Sequence, residues 1–264
     1  MAERVIRFEK DVHTALWGHE EWLVCAHPSA PGKIVGGEGK TLRDVCPEFP
    51  LLIKKICANL RLSVQVHPND ETAKTVGGEA KTEMWCVLKA GPIFAGFKPG
   101  VTKEDVERAV ADGTFEDLLV RFDAKPGECY FIPGGLVHAI GEGTSVYEVQ
   151  QSSDTTFRLY DWGRVGADGK PRQLHVKEGL AAMDIALPPP VPGESVKCPY
   201  FEFYKQGKDL RRETEDAKRW RVVYDPKADD CFLLPPGEET AIQSGAWVTV
   251  VSWSSIFRSM GGRW

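Results

Sequence analysis

Short runs of alternating apolar and polar residues recur along the chain, at 62–67, 83–88, 129–132, 145–150 and 247–251. Alternation puts successive side chains on opposite faces of an extended backbone, which is the pattern of half-buried strands. Gly and Pro, 26 and 18 in number, punctuate these runs, and that spacing predicts a β-sandwich or barrel. Helical signals are few. Thr41-x-x-Asp44 and Thr102-x-x-Asp105 resemble capping boxes with Asp in place of Glu, and Val106 and Val110 follow the second at i, i+4. Thr114-x-x-Asp117 opens another short turn. A last helix is predicted over 176–185, ended by Pro188, Pro189 and Pro190, which cannot continue it. The segment 187–194 is therefore the predicted linker, with one domain over 1–186 and a smaller one over 195–264.

Composition narrows the function classes. The chain has 264 residues, enough for one large domain or two small ones. Lys and Arg number 33 against 38 Asp and Glu, a net charge of −5, which argues against a dedicated nucleic-acid binder. The charged first ten residues do not read as a secretion signal, and no apolar run approaches the ~18 residues of a membrane span. A cytoplasmic protein without membrane or nucleic-acid partners is the expectation. The 7 Cys are scattered and form no C-x-x-C pair, so they predict idle or buried thiols rather than a disulfide framework or a zinc knuckle. Only 6 His occur, at 13, 19, 27, 67, 138 and 175, and any His-based metal site must come from these.

Two of them sit in informative surroundings. In a strand over 62–67, Leu62, Val64 and Val66 face one way, while Ser63, Gln65 and His67 face the other. The second face suits either a polar cavity wall or solvent. Lys81, Glu83 and Trp85 likewise share a face. Gly127-x5-Pro133-x-Gly135-x2-His138 reads as a strand, a tight turn and a return strand presenting His, because Gly permits unusual dihedrals and Pro fixes φ. This spacing matches the second motif of the cupin superfamily, with Glu142 at the usual Asn position. The first cupin motif normally offers two His; here the pair is Gln65-x-His67, and the carboxylate follows much later, at Glu83. Together Gln65, His67, Glu83 and His138 form a mixed N/O donor set suited to Zn²⁺, and able to hold Mn²⁺ or Fe²⁺.

Four segments carry a closer resemblance. These are 62–70 (LSVQVHPND), 78–85 (GEAKTEMW), 131–144 (FIPGGLVHAIGEGT) and 148–164 (EVQQSSDTTFRLYDWGR). They resemble the type I mannose-6-phosphate isomerases in their short bacterial form, in family order over roughly residues 45–180. Outside that span the likeness is weak, through Trp17-Gly18 and Glu21-Trp22 at the start and through 198–201 (CPYF) and 232–239 (FLLPPGEE) near the end. The resemblance implies a mainly β chain. A cupin barrel (double-stranded β-helix or jelly roll) with a few helices would be followed by a smaller β-rich, cupin-like domain. A helical insertion near 102–123 would lie over one barrel mouth. With no His after position 175, the second domain would carry no metal and serve in packing.

The resemblance also implies one zinc ion per chain, held by Gln65, His67, Glu83 and His138. The implied reaction interconverts mannose 6-phosphate and fructose 6-phosphate through an enediol, so the partner would be a hexose 6-phosphate. Such a reaction needs a base for the C1/C2 proton and positive charge for the enediolate oxygens. Arg158 matches the family's active-site Arg, and Lys81, Glu148 and Asp154 are alternative acid/base groups. Ser63 and Arg164 are the phosphate candidates. His13, His19, His27 and His175 are expected to be surface or structural. Monomer and homodimer both stay open. So do two rival readings: another metal cupin enzyme, such as an Fe²⁺ oxygenase or one acting on a related phosphosugar, and a non-enzymatic sugar-phosphate-binding cupin. The run 254–264 reads as a mobile tail.

Overall fold

The computed structural model describes residues 5–166, 169–207, 216–238, 240 and 242–252. In chain order its strands begin with β1 (Asp11–Ala15), β2 (Gly18–Cys25), β3 (Leu51–Ala58), β4 (Val64–Val66), β5 (Glu83–Lys89), β6 (Gly91–Phe97), β7 (Leu119–Ala124) and β8 (Cys129–Ile132). They continue with β9 (His138–Ile140), β10 (Ser145–Gln151), β11 (Phe157–Tyr160), β12 (Val196–Lys197), β13 (Phe201–Lys205), β14 (Arg221–Asp225), β15 (Asp230–Leu234) and β16 (Trp247–Val251). The helices are α1 (Leu42–Val45), α2 (Ala73–Val76), α3 (Lys103–Asp112) and α4 (Val176–Ala182), with a 3₁₀ turn at Phe115–Leu118. No helix among the described residues is long and apolar enough to cross a membrane.

The chain divides into two compact units. The larger comprises Val12–Glu20 and Lys55–Pro192. It holds the cupin barrel as two facing sheets. One sheet has the order β11-β4-β9-β6-β7. The other joins β10, β5 and β8 to the ends of the first three strands that lie in this unit. Between the sheets Trp85, Val87, Tyr130, Ile132 and Val146 pack with Ile93, Ala95 and Ile140. Each such fully buried apolar side chain contributes about 1.5–3 kcal/mol, so this layer is a large part of the barrel's stability.

The outer face of the first sheet is apolar too, through Val64, Val66, Phe94, Phe97, Ala139, Phe157 and Leu159. It must be covered, and Val106 of α3, Phe115 of the 3₁₀ turn and Ala182 of α4 cover it. The segment 102–123 therefore departs from its expected place over a barrel mouth. Its helical part ends by Leu118 and its remainder is β7. Phe115 stacks on Tyr160 at 6.1 Å and meets Phe97 at 6.3 Å, because an aromatic ring gains more against this apolar face than over a polar opening. The capping box that starts α3 is formed: Thr102 Oγ1 accepts the Asp105 N–H at 3.2 Å, and the Asp105 carboxylate accepts the Thr102 N–H at 3.0 Å.

Two element boundaries differ from the pattern. Strand β4 starts only at Val64, so Leu62 escapes the alternation and joins the cluster between the sheets, its N–H on Ile140 O at 2.8 Å. Helix α4 stops at Ala182 rather than 185, since Met183 is extended and the Asp184 N–H is taken by Gly135 O at 2.9 Å.

The smaller unit comprises Met1–Asp11, Glu21–Lys54 and Gly193–Trp264. Its antiparallel sheet has the order β12-β13-β16-β14-β15. Val248 and Val250 of β16 pack with Tyr204, Val223, Leu234 and Val5. This partition differs from a 1–186 domain followed by 195–264. Ile6 bridges to Leu233, and Phe49 meets Trp220 edge-on at 6.2 Å, so early segments are held by C-terminal strands. Local alternation cannot reveal such long-range pairing. The run 254–264 lies outside the described residues. All 7 cysteines are free thiols.

Candidate metal centre

Strand register brings three buried ionisable side chains to one point. His67 follows β4, Glu83 opens β5 and His138 opens β9, and none is more than 1% exposed. His67 Nε2 lies 3.5 Å from Glu83 Oε2, and His138 Nε2 lies 3.5 Å from Glu83 Oε1. The opposite ring nitrogens are committed: His67 Nδ1 contacts Thr155 O at 2.8 Å and His138 Nδ1 contacts Leu136 O at 2.8 Å. A carbonyl oxygen only accepts, so both Nδ1 atoms carry the proton and both Nε2 lone pairs face the carboxylate. Burial pushes the His138 pKa down to about 4, which keeps this ring neutral at pH 7.

Neither Glu83 oxygen accepts a hydrogen bond, although both are buried. Two lone pairs pointing at a buried carboxylate repel unless positive charge lies among them, and the Lys81 ammonium, 3.0 Å from Oε2, meets that need only in part. A divalent cation meets that need, and carbonyl-anchored imidazoles are the usual support of a metal site. The Gln65 amide belongs to the same cluster. Gln65 pairs with His138 across β4 and β9, and its amide nitrogen is 3.3 Å from His138 Nε2. Rotating the amide by 180° exchanges its nitrogen and oxygen, so an oxygen donor reaches the same position. Lys81, 5% exposed, holds its Nζ 3.0 Å from Glu83 Oε2 and 3.1 Å from His67 Nε2. The ammonium thus supplies part of the charge that the cluster demands.

Arg158 of β11 sits opposite Gln65 in register, which places it on the same face of the sheet. Arg158, Gln65 and His138 therefore form one cross-strand row. Nη1 of Arg158 donates to Gln173 O at 2.8 Å, while its buried Nε has no hydrogen-bond partner. Burial lowers the Arg158 pKa, and the nearby charge of Arg172 lowers it further. Arg164 donates to Asp161 Oδ1 at 2.5 Å, and its buried Nη1 is without a hydrogen bond. Arg172 binds the same carboxylate through two nitrogens, at 2.8 and 2.6 Å. Burial alone would raise the Asp161 pKa, but these hydrogen bonds from Arg172 and Arg164 hold it below its ordinary value.

Glu148 lies on the cavity face of β10, opposite Trp85, and its Oε2 accepts the Trp85 indole N–H at 2.8 Å. Ser63 is buried, one residue before β4. Asp154 is exposed and stands outside the buried cluster. His175 is more engaged than a surface reading implies: its Nδ1 accepts the Arg158 backbone N–H at 3.3 Å. Sequence reasoning missed Asp161, Arg172 and Gln173. Asp161 had a signal, three residues before Arg164 in the DWGR run. Arg172 and Gln173 had none, because a loop brings them back to β11.

Comparison with known proteins bears on what this centre does. No protein-family model matches the chain. The mannose-6-phosphate isomerase ManA of Bacillus subtilis is 38% identical over 63% of this chain and 58% of its own length. A mannose-6-phosphate isomerase of Streptococcus mutans is 36% identical over 64% of this chain and 59% of its own. The chain thus spans under three fifths of these two relatives. YvyI of B. subtilis, provisionally named for the same activity, is 34% identical over 81% of this chain and 74% of its own length. Among solved structures, the mannose 6-phosphate isomerase of B. subtilis superposes with a TM-score of 0.75 at 24% identity, over 93% of this chain and 98% of that one. A mannose 6-phosphate isomerase bound with zinc and yttrium gives 0.59 at 16% identity, over 94% and 99%. The low identities make these two structures a likeness of fold, whereas the extent of the YvyI match carries the relationship in sequence: the chain belongs to the mannose-6-phosphate isomerase family.

Proposed function

We propose that the chain interconverts mannose 6-phosphate and fructose 6-phosphate through an enediol, with one zinc ion held by Gln65, His67, Glu83 and His138. The observation that carries this reading is the buried His67–Glu83–His138 cluster, whose ring nitrogens converge on the Glu83 carboxylate, with Gln65 of the same cluster paired opposite Arg158. Zinc, when bound, supplies positive charge for oxygens that become negative during the reaction. The chain's own groups do the rest. Arg158 is a fixed cation on the cavity face, and its unpartnered Nε–H suits a developing oxyanion. Lys81 and Glu148 are the candidates for moving the proton between C1 and C2, and the bond from the Trp85 indole to Glu148 supports an oriented carboxylate there. Asp154, being exposed, suits that role least.

Phosphate recognition is assigned to Arg164 and Ser63. Around Asp161 stand three guanidiniums, those of Arg158, Arg164 and Arg172. The buried Nη1 of Arg164 is left for an anion. That surplus of positive charge and donors fits a phosphate dianion.

The test is direct. Zinc-loaded protein should convert each hexose 6-phosphate into the other, with exchange of the migrating hydrogen with solvent. Absence of turnover with zinc, manganese and iron alike would refute the reading. Oxygen consumption on turnover would instead favour an oxygenase.

A further inference from the structure

Asp161 and Arg172 close a loop whose ends lie against β11. Arg172 Nε donates to Asp161 Oδ2 at 2.8 Å and Nη2 to Oδ1 at 2.6 Å, in the paired geometry that best fixes a guanidinium. The side chains are 22% and 7% exposed, so water competes little for these bonds. Within the loop Val165 bridges to Pro171. Beyond Arg172 the chain runs beside β11, where His175 N–H donates to Arg158 O at 2.8 Å and His175 Nδ1 accepts the Arg158 N–H at 3.3 Å. The residue directly after Arg172 is Gln173, and its carbonyl takes the Arg158 guanidinium at 2.8 Å.

This sequence of contacts has a direction. The ion pair sets Arg172, the peptide link transmits that position to the Gln173 carbonyl, and the carbonyl sets which guanidinium N–H of Arg158 is spent and which is left over. We propose that Asp161 and Arg172 form a clip that positions Arg158, acting through the Gln173 carbonyl rather than touching substrate. The proposal rests on the isomerase reading above and adds two positioning residues to it. A catalytic guanidinium misplaced by about 1 Å costs roughly 10²-fold in rate, so an ion pair remote from the reacting carbons can control turnover. Arg164 shares the carboxylate, which couples the clip to the phosphate candidates as well.

A double-mutant cycle tests it. Turnover and KM are measured for the wild type, R172A, R158A and R158A/R172A, with bound zinc and thermal midpoint recorded for each. The clip predicts that R172A lowers kcat about 10–100-fold with zinc content unchanged. It also predicts that R172A costs less than about 2-fold once Arg158 is absent. R172K, which keeps the charge but not the fork, should fall between the wild type and R172A. Equal fold-losses in both backgrounds would overturn the clip, as would a loss that tracks zinc or thermal midpoint. If R158A turns over too slowly to assay, the same cycle is read from fructose 6-phosphate affinity by calorimetry. A wild type without turnover refutes the isomerase reading alone; the clip is then judged from a crystal structure of R172A, where a guanidinium of Arg158 displaced from the Gln173 carbonyl supports it and one still held there overturns it.

Discussion

The ammonium of Lys81 lies 3.0 Å from the carboxylate of Glu83, and both groups are buried. A lysine so placed competes electrostatically with any cation that the same carboxylate would bind. At a few ångströms and an effective dielectric of about 20 the repulsion is several kcal/mol, partly relieved by side-chain movement. K81M should therefore retain zinc, with affinity equal to or about 10-fold above the wild type in a chelator competition, while losing about 100-fold or more in kcat. A variant that loses its zinc would show that Lys81 supports the metal instead.

The six histidines separate into roles. H138A removes a buried ring nitrogen donor held in place by the Nδ1–H bond to the Leu136 carbonyl, and it should lose most bound zinc by elemental analysis. H175A removes the acceptor of the Arg158 N–H and should cost about 1 kcal/mol of stability with zinc retained. Equal zinc loss in the two variants would contradict the ligand assignment.

Gly134 lies in the turn that delivers His138. A Cβ at this position would come 2.8 Å from both Asn69 Cα and Pro68 O, which are backbone atoms and cannot swing aside. The neighbouring Gly135 N–H is bonded to His67 O at 2.8 Å, so a shift here reaches both histidines. G134A should destabilise by about 1–3 kcal/mol in urea unfolding and weaken zinc binding about 10-fold. Wild-type zinc affinity in a destabilised G134A would detach the turn from the metal site.

Asp161 gives a pH dependence with a definite sign. Its carboxyl is held below the ordinary value of 3.8 in the folded chain. As pH falls through about 4 the unfolded chain takes up this proton first, so the stability that Asp161 contributes is present above that pH and lost below it. D161N should cost about 2 kcal/mol at pH 7, and the gap to the wild type should shrink toward pH 3. A pH-independent gap would mean that packing, not charge, explains the loss.

The barrel strands and the turn that presents His138 were legible because they rest on local patterns, whereas His67 and Glu83 were joined to His138 only through family motifs. The 129–132 run and the Gly127–Pro133–Gly135–His138 spacing encode a strand and its turn within a dozen residues, and β8 and β9 follow from them. Gln65 was legible only through likeness to relatives; alternation could show its face but not what stood opposite. Leu62 broke the alternation because β4 is short, and nothing in the pattern marks where pairing begins. Arg172 and the grouping of Ile6 with Leu233 were illegible for one reason. Each depends on a partner distant in sequence, and such pairings are set by the whole packed chain.

The brevity of β4 makes the centre unusually sensitive to one kind of genetic change. Its three residues carry a single pairing with β9, Gln65 to His138, and Val64 and Val66 on either side belong to the helix-covered face. Deleting one residue just upstream would, if pairing were kept, present a valine to the metal position and turn Gln65 into the apolar layer beside Phe94 and Phe97. Barrel and chemistry would fail together, from a change that alters no ligand. Diversification of this protein is therefore expected to proceed by substitution around 59–67, with insertions and deletions confined to its longer loops.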